Sequence, residues 1–432
     1  MKSLWQESAD FQHYEVLKGS RNTDVLIIGG GMCGILTAYF LHQKGVNYIL
    51  LEANKIANAT TMNTTAKITS QHGLIFAEMI KRFGKEKTQL YLEASQNAIS
   101  RFEALSREFD CNFEKSSSFV YSLNNSEKLE KEVIALDSLG FGSNFVKDLP
   151  LPLKTVGAVE FKNQAQFNPI MFLSAISKGL NVYENSRVLK IENSTAICEN
   201  GSVRAKKIIV TTHFPFIDKY GLYFLKMYQS RSYVLALENA PDYKGMYVDE
   251  CDNGLSFRNY NGLLLLGGYG HRTGKGECGF NRLRAFVNEK IPDAQEKFYW
   301  ATQDCKTLDD IPYIGYYSRF KNNLLVATGF NKWGMTSSMV ATEMLCDMVL
   351  GCENKYCEVF SPSRSIFRKQ LLVNSAEAVN GLVGFSKKRC THLGCKLKWN
   401  KAEHSWDCSC HGSRFDNGGN ILDGPANRKK NG

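Results

Sequence analysis

The sequence of 432 residues lacks several features that would assign it to a special class of protein. It contains no run of about 18 consecutive apolar residues, the length that a membrane-spanning helix needs, so we predict no membrane span. Residues 1–7 lack the charged-then-apolar order of a secretory signal, so we expect a cytoplasmic protein. The net charge of +10 is modest for this length and does not indicate nucleic-acid binding. Internal repeats and low-complexity tracts are missing as well.

The composition is that of a globular protein with more than one domain. Hydrophobic residues make up 43% and charged residues 22% of the chain, and the length suggests two to three domains at roughly 150 residues each. Positive charge is concentrated at the C-terminus, because residues 371–432 hold ten Lys and Arg against five Asp and Glu. This net charge of +5, half of the total of +10, predicts a separate C-terminal domain.

A glycine-rich motif near the N-terminus has the context of a dinucleotide-binding turn. The apolar run of residues 23–28 predicts a buried strand, Gly29-x-Gly31-x-x-Gly34 follows it, and a predicted helix comes next. Gly29 permits a tight turn, Gly31 lets the backbone approach a pyrophosphate, and Gly34 allows close packing of helix on strand. Glu52 ends the second predicted strand, where it can accept hydrogen bonds from ribose hydroxyls. The alternative is a glycine-rich turn that binds nothing.

A second Gly-x-Gly-x-x-Gly pattern, at Gly274, Gly276 and Gly279, lacks this context. Several residues separate it from the preceding strand, and no second strand that ends in an acid follows it. The pattern predicts a loop, and we therefore expect one dinucleotide site in the chain.

The thirteen cysteines are unevenly distributed. Nine are scattered over residues 1–357, and the other four lie within 21 residues, together with two histidines. The pattern Cys-x-His-x15-Cys-x-x-His is formed by Cys390, His392, Cys408 and His411. It is typical of a Rieske [2Fe–2S] centre, in which two thiolates bind one iron and two imidazoles the other. A zinc ion is the alternative, but zinc does not account for the two further cysteines, Cys395 and Cys410.

Five segments within residues 1–355 resemble the D-amino-acid-oxidase/glycine-oxidase superfamily of FAD-dependent oxidoreductases. They are residues 24–52, 60–65, 187–188 with 207–212, 307–315 and 327–336. Asp310, in the fourth segment, stands where that family usually has glycine. The segments follow the order of the family, and the resemblance implies that the dinucleotide is FAD.

The resemblance also implies which residues bind FAD. They are Gly29, Gly31, Gly34, Glu52, Thr60, Thr61, Asn63, Val188, Gly329, Gly334, Met335 and Thr336. The implied fold class is an α/β Rossmann-like FAD-binding domain with an inserted antiparallel substrate domain, followed by a small all-β Rieske-type domain. We expect the FAD part at residues 20–83, 166–214 and 305–352, the substrate part at 84–165 and 215–304, a linker at 356–380 and the Rieske domain at 381–432.

The C-terminal segment resembles Rieske domains beyond its four ligands. The resemblance implies a disulfide between Cys395 and Cys410 that ties the two ligand loops together, and residues 424–426 match the proline loop that covers the cluster. Phe415 stands where respiratory Rieske proteins have a tyrosine. Only 17 residues, 373–389, lie between the start of this segment and the first ligand, so we expect a shortened domain. The layout of the whole chain resembles a bacterial family of FAD-dependent oxidoreductases with a C-terminal Rieske domain.

Four residues are candidates for contact with a substrate: Arg231, Tyr233, His271 and Arg272. Arg231 and Tyr233 are two positions apart on a predicted strand, so they share one face of it. An arginine can clamp a carboxylate with two hydrogen bonds. The alternative for each arginine is a surface position in a solvated ion pair.

Together these expectations describe a flavin dehydrogenase. A small-molecule substrate would reduce FAD, and the cluster would pass the electrons singly to an acceptor that the sequence does not name. By family analogy the substrate is an amine or amino acid, with a hydroxy acid as the alternative. A redox-sensing or interaction protein that uses FAD and the cluster for regulation is the competing hypothesis. A Rieske oxygenase is disfavoured, because the eight histidines leave no convincing set of two histidines and a carboxylate for a mononuclear iron.

Overall fold

The computed structural model describes residues 1–217, 220–276, 278–383, 386 and 388–430. The helices are α1 (Met32–Gln43), α2 (Phe76–Phe83), α3 (Lys85–Ser106), α4 (Ser126–Ser138), α5 (Pro169–Ile176), α6 (Tyr223–Lys226), α7 (Phe280–Lys290), α8 (Gly334–Leu350), α9 (Cys357–Phe360) and α10 (Lys369–Val383). The strands are β1 (Gly19–Ile28), β2 (Tyr48–Leu51), β3 (Lys67–Ile68), β4 (Glu114–Ser122), β5 (Asn144–Val146), β6 (Gly157–Gln166), β7 (Val182–Tyr183), β8 (Val188–Glu192), β9 (Thr195–Cys198), β10 (Gly201–Val210), β11 (Met227–Glu238), β12 (Met246–Asp249), β13 (Ser256–Tyr260), β14 (Leu263–Arg272), β15 (Gln295–Thr307), β16 (Tyr313–Ser318), β17 (Lys321–Thr328), β18 (Leu397–Asn400), β19 (Ser405–Cys408), β20 (Arg414–Phe415) and β21 (Ile421–Asp423).

The first sheet is mostly parallel and has the order β16-β17-β10-β1-β2-β7, with β8 and β9 at its side. β1 lies in the middle, parallel to both β10 and β2. Residues 25–28 are buried on both sides of the sheet. Val25 and Ile27 lie in a core shared with α1 and α8, and Leu26 and Ile28 lie in a second core shared with β8 and β9, which explains the uninterrupted apolar run. α8 ends at Gly351, whose left-handed backbone stops the helix.

The second sheet has nine strands and is mostly antiparallel, in the order β15-β11-β14-β13-β12-β4-β6-β3, with β5 also paired to β6. β3 lies at one edge of this sheet, although its residues fall within the range predicted for the FAD part. α5 begins beside this sheet, where Asn168 accepts hydrogen bonds from the backbone of Ile170 and Met171 and Pro169 follows as the first helical residue.

The third sheet is small, antiparallel and C-terminal, in the order β18-β19-β20-β21. An α/β domain with an inserted antiparallel sheet and a small all-β domain at the C-terminus confirm the predicted fold class. No helix in the described ranges is long and apolar enough to cross a bilayer.

The segment predicted as a linker, residues 356–380, contains α9 and most of α10 and is bound to the first domain. Two nitrogens of Arg364 each lie 2.7 Å from an oxygen of Asp309, and a third donates to the carbonyl of Pro312 at 2.9 Å. The guanidinium also stacks 3.9 Å from the ring centre of Tyr313. Because of these bonds, the connection holds the C-terminal domain close to the rest of the chain.

Candidate cofactor sites

The turn between β1 and α1 is shaped by glycines with different tasks. Gly29 has a φ of +110°, and a Cβ there would lie 2.7 Å from the carbonyl oxygen of Thr211, so only glycine fits. A Cβ at Gly34 would collide with the carbonyl of Gly29, so its absence lets α1 pack closely on β1. A Cβ at Gly31 would meet only Thr61 Oγ1, at 3.4 Å. Gly31 thus leaves an open cradle at the N-terminus of α1. The Met32 N–H donates to Thr61 Oγ1 at 3.1 Å, and the N–H groups that follow it in the first turn favour an anion.

Glu52 follows β2 and borders the same turn. Its Oε2 accepts a hydrogen bond from the Gly30 N–H and its Oε1 one from the Asn54 N–H, each at 2.8 Å. Burial raises the pKa of Glu52, while the two backbone donors and the charge of Arg187 oppose that rise. Each carboxylate oxygen can accept a further hydrogen bond, so Glu52 is held in place for a ribose hydroxyl.

A cavity of about 540 Å³ connects this turn with the C-terminal domain. Nine of the residues predicted to bind FAD line it: Gly29, Gly31, Glu52, Thr60, Thr61, Val188, Gly329, Gly334 and Met335. Three others, Gly34, Asn63 and Thr336, are not part of its lining. Asn63 Nδ2 instead donates to the carbonyl of Ala59 at 2.9 Å, and Thr336 Oγ1 to that of Thr69 at 2.9 Å. These two side chains therefore bind backbone carbonyls next to the cavity and do not face it.

The N-terminus of α8 faces the cavity, since Gly334, Met335 and Ser338 line it. The first backbone N–H groups of a helix carry partial positive charge, which stabilises a negative charge that lies close to them. Two helix N-termini therefore border the cavity, that of α1 and that of α8.

Two buried side chains of the cavity wall are not among the sequence predictions. Lys67, on β3, lies near the buried Arg258, and burial together with this like charge lowers the pKa of Lys67 to about 7. His72 Nε2 lies 2.9 Å from Thr336 Oγ1, and its ring stacks on Trp333 with the centroids 5.3 Å apart. Burial lowers the pKa of His72 to about 4, so this imidazole is neutral. In the sequence, Lys67 and His72 belong to the mostly polar segment of residues 64–73. That composition alone does not show that the segment faces a cavity.

The two arginines predicted to clamp a substrate bind the C-terminal domain instead, which corrects that prediction. Both oxygens of the buried Glu403 accept hydrogen bonds from Arg231, one of them at 2.6 Å. Arg272 donates to the carbonyls of Ser409 and Cys410 at 2.9 and 3.1 Å. Neither guanidinium lines the cavity, because both are occupied by these acceptors.

The other two substrate candidates are bonded to each other. Tyr233 Oη and His271 Nε2 lie 2.9 Å apart. Tyr233 lines the cavity, whereas His271 is outside its lining. Next to them, Gly274 and Gly276 belong to the turn between β14 and α7, and a Cβ at Gly274 would lie 2.8 Å from the backbone nitrogen of Ser409. This second glycine pattern therefore lies against the C-terminal domain.

The predicted iron–sulfur ligands come together on two loops of the third sheet. The Nδ1 atoms of His392 and His411 are 3.2 Å apart, with the rings at 88° to each other. Two nitrogens on one tetrahedral metal ion, each about 2.1 Å from it, would be roughly 3.4 Å apart, so this spacing suits a shared metal. Cys390 and Cys408 lie together in the buried core of this domain, and the His392 N–H donates to Cys390 Sγ at 3.5 Å.

Cys395 and Cys410, the predicted disulfide pair, are free thiols in this structure. Their sulfurs and that of Cys408 lie within 4.8 Å of one another, and all three residues are buried. A side chain at Gly381 would collide with the sulfur of Cys410, so α10 lies directly on this pair. The two cysteines are thus adjacent, without the predicted bond.

The histidine side of these loops faces the first two domains. The ring of Phe214, four residues after the end of β10, has its centroid 6.4 Å from that of His392 and 6.1 Å from that of His411. Phe224, on α6, lies 6.1 Å from His411 on another side. His411 is only 3% exposed as a result.

Polar groups fix the C-terminal domain in this position. Gln229 Nε2 donates to the carbonyl of His411 at 2.7 Å, and Gln303 Nε2 to that of Gly412 at 2.9 Å. Glu403, already bound to Arg231, also accepts from Arg414 at 2.9 Å. A buried carboxylate between two guanidiniums therefore links β11 to the third sheet.

Residues 421–427 belong to both sites. They line the cavity from the C-terminal side. The backbone N–H of Ala426 donates to Ser413 Oγ at 3.2 Å, next to Cys390, and Asn427 Nδ2 donates to the carbonyl of Leu189 at 2.7 Å. One short segment thus forms part of the cavity wall and covers the ligand loops.

Comparison with known proteins gives matches for both parts of the chain. A family model described as FAD dependent oxidoreductase matches residues 24–348, and one described as Rieske [2Fe-2S] domain matches residues 355–431. The Bacillus subtilis protein YhfW, whose name describes it as a Rieske 2Fe-2S iron-sulfur protein, is 36% identical over 98% of this chain and 96% of its own.

Solved structures match the larger part of the chain. Glycine oxidase from Geobacillus kaustophilus has a TM-score of 0.68 and 17% identity, covering 80% of this chain and 100% of its own. L-amino acid deaminase from Proteus vulgaris has a TM-score of 0.65 and 16% identity, covering 82% of this chain and 97% of its own. At these identities the two structures show a common fold.

Proposed function

The chain belongs to the family of FAD-dependent oxidoreductases and ends in a Rieske [2Fe–2S] domain, and we propose that it oxidises an amine or amino acid and passes the electrons through its own cluster. The observation that carries this proposal is the segment 421–427, which lines the cavity and covers the cluster loops. FAD takes up two electrons together and can release them singly, and a [2Fe–2S] cluster carries one at a time. An external one-electron acceptor would then remove them in turn.

FAD fits the residues of the cavity. The cradle at Gly31 and the N-terminus of α1 suit a diphosphate, and Glu52 is placed for the ribose of the same nucleotide. The N-terminus of α8 would stabilise negative charge on the reduced flavin ring. Lys67 and His72 lie in the wall that this ring and the substrate would share.

The names of the two structural neighbours, glycine oxidase and L-amino acid deaminase, support an amine or amino acid as the substrate class. Among the described residues that line the cavity, the arginine is Arg187, which lies near Glu52 at the nucleotide end. A substrate carboxylate would therefore be bound by a lysine. Lys67, which is buried, and Lys332, which is partly buried, belong to this lining. The lining also contains the buried Lys306, which is paired with Asp252 at 3.0 Å.

For the cluster we propose Cys390 and Cys408 as ligands of one iron and His392 and His411 as ligands of the other. The spacing of the two Nδ1 atoms and the position of Cys390 and Cys408 in one buried core support this assignment. We further propose that Cys395 and Cys410 form a disulfide under oxidising conditions, which the closeness of their sulfurs supports. The domain boundaries given in the sequence analysis remain part of this proposal.

The test uses anaerobically purified protein, in which absorbance and EPR spectra report flavin and cluster together. Without an added acceptor, one or more compounds from a panel of amines, amino acids and hydroxy acids should bleach the flavin and then give the EPR signal of a reduced cluster. The control is Cys408→Ser, which should lose the cluster signal while the flavin is still bleached.

Each step can fail separately. Bleaching by hydroxy acids alone would contradict the substrate class, and bleaching without a reduced cluster would contradict the electron transfer. Zinc or no metal after anaerobic reconstitution would remove the cluster from the proposal. If both cofactors are present and no compound bleaches the flavin, the regulatory hypothesis takes its place.

A further inference from the structure

The outer face of α10 is exposed and carries mostly apolar side chains, with Lys369 and Asn380 among them. Its exposed apolar side chains, with one residue just before the helix, are Phe367, Leu372, Val373, Val379, Leu382 and Val383. Leu372, Val379 and Val383 are 73, 59 and 74% exposed, and their spacing of seven and four residues puts them on one side of the helix. We call this set the apolar ridge. A contiguous exposed apolar patch marks an interaction site more often than a chance arrangement.

The inner face of α10 is fixed to the ligand loops, so the apolar ridge can only point outward. Gly381 lies against Cys410. The carbonyl of Gly381 accepts from the Lys396 N–H at 2.9 Å, and the carbonyl of Leu382 accepts from Arg389 at 2.9 Å. An α-helix with its side chains is about 10 Å across, so roughly that distance separates the ridge from the cysteine side of the cluster.

Positive charge flanks the apolar ridge at both ends. Arg368 and Lys369 stand where α10 begins, and Lys388 and Arg389 follow its end. Lys369 and Arg389 are exposed, whereas Arg368 lies over the ring of Phe83 and Lys388 over that of Trp406. The acidic residue of α10 is Glu377, and it is paired with Lys275. A negatively charged surface would therefore meet apolar side chains between two groups of cations.

The shape of the apolar ridge decides what kind of surface fits it. The ridge is one side of a straight helix and is convex, whereas a folded protein partner needs a complementary groove for close packing. The interfacial layer of a membrane is fluid and accepts a convex apolar surface without such a groove, and anionic lipids attract the flanking cations.

We propose that α10 is a membrane-docking helix, whose apolar ridge enters the interfacial layer of a membrane rich in anionic lipid. Docking would place the cysteine side of the cluster next to the membrane, while its histidine side faces the FAD domain. This inference goes beyond the proposed function and does not depend on it, because membrane binding is measured without substrate.

The experiment is flotation of the holoprotein with two kinds of vesicle, one of phosphatidylcholine alone and one with about a third phosphatidylglycerol. We expect binding to the anionic vesicles at least about tenfold stronger than to the neutral ones, and weaker binding at about 0.5 M salt. The double variant Leu372→Glu with Val379→Glu should bind anionic vesicles at least about tenfold more weakly, since two carboxylates would enter the interface.

The matched control is Ile134→Glu, because Ile134 is 68% exposed on α4, away from the apolar ridge. This variant should bind vesicles like the unchanged protein. Both altered proteins should keep the flavin absorbance and circular dichroism of the unchanged protein, since the replaced side chains are exposed. Absence of binding to anionic vesicles, or equal binding by the double variant, overturns the proposal. The proposal is also overturned if the unchanged protein is a dimer that does not bind vesicles and the double variant is a monomer. That result would show that a second copy of the chain covers the apolar ridge.

Discussion

Glycines that look equivalent in a motif differ in what surrounds them, and Gly31 and Gly34 can be separated by mutation. Gly31→Val should fold, because Gly31 has an extended backbone and one near neighbour, and the loss of a glycine N-cap costs about 1 kcal/mol or less. It should lose FAD, since the new side chain fills the cradle for the diphosphate. Flavin absorbance and thermal unfolding measure the two effects.

The companion variant Gly34→Val should destabilise the fold itself. Its side chain would collide with the carbonyl of Gly29, so the unfolding temperature itself should fall. Full flavin content in Gly31→Val, or an unchanged unfolding temperature in Gly34→Val, would contradict this division of roles.

Lys67 gives the protein a pH dependence with a defined sign. Its pKa is about 7 in the folded chain and about 10.4 in an unfolded one, so the unfolded state binds more protons between these values. The free energy of unfolding should therefore rise with pH over this window. In Lys67→Met this contribution should disappear, which chemical denaturation at about pH 7 and about pH 9 would detect as a smaller difference between the two pH values. An equal difference in both proteins would show that Lys67 is charged in the folded state.

At the scale of residues, the sequence predicts groups that are close together along the chain and misses partners that are far apart. The four proposed iron–sulfur ligands lie within 22 positions of one another, and their spacing alone predicts them. Arg231 and Glu403 are 172 positions apart, and nothing in either neighbourhood shows that they meet. The residue type of Arg231 therefore predicts a substrate contact, whereas in the folded chain this side chain binds the C-terminal domain.

At the scale of elements, β1 and α1 follow from the sequence, but α10 does not. The apolar run of β1 is the pattern of a strand buried on both faces, and glycines mark where the turn to α1 begins. The sequence shows no such signal for α10, because its apolar side chains point outward and its inner contacts are made by Asn374 and Gly381. A pattern that assumes apolar residues inside cannot find such a helix.

β20 shows the same limit within a single short strand. Phe415, which replaces the tyrosine of respiratory Rieske proteins, is fully buried beside Cys390, Cys395 and Cys408 in the core of the third sheet. The sequence identifies the substitution, but its contacts depend on the closure of both ligand loops around it.

At the scale of the whole molecule, the buried pair of Arg231 and Glu403 holds two domains together. Glu403→Gln would leave Arg231 and Arg414 buried without their common negative charge, which costs about 3–5 kcal/mol for a buried ion pair. We expect the C-terminal domain to be released at lower denaturant concentration and to be cut earlier in limited proteolysis.

The control for this prediction is Glu238→Gln, which removes a surface pair with Lys297 in which both side chains are more than 40% exposed. Its effect should stay below about 1 kcal/mol. Equal losses of stability in the two variants would show that Glu403 does not hold the C-terminal domain in place.

The buried position of the histidine side has a consequence for how the cluster is put in place. With His411 enclosed by Phe214, Phe224 and Gln229, iron and sulfide should reach that imidazole more easily before the domain docks than afterwards. The ligand loops are synthesised after the parts that will enclose them. Cluster assembly should therefore be fastest in the interval before docking, and a chain that has docked without iron should take up a cluster more slowly.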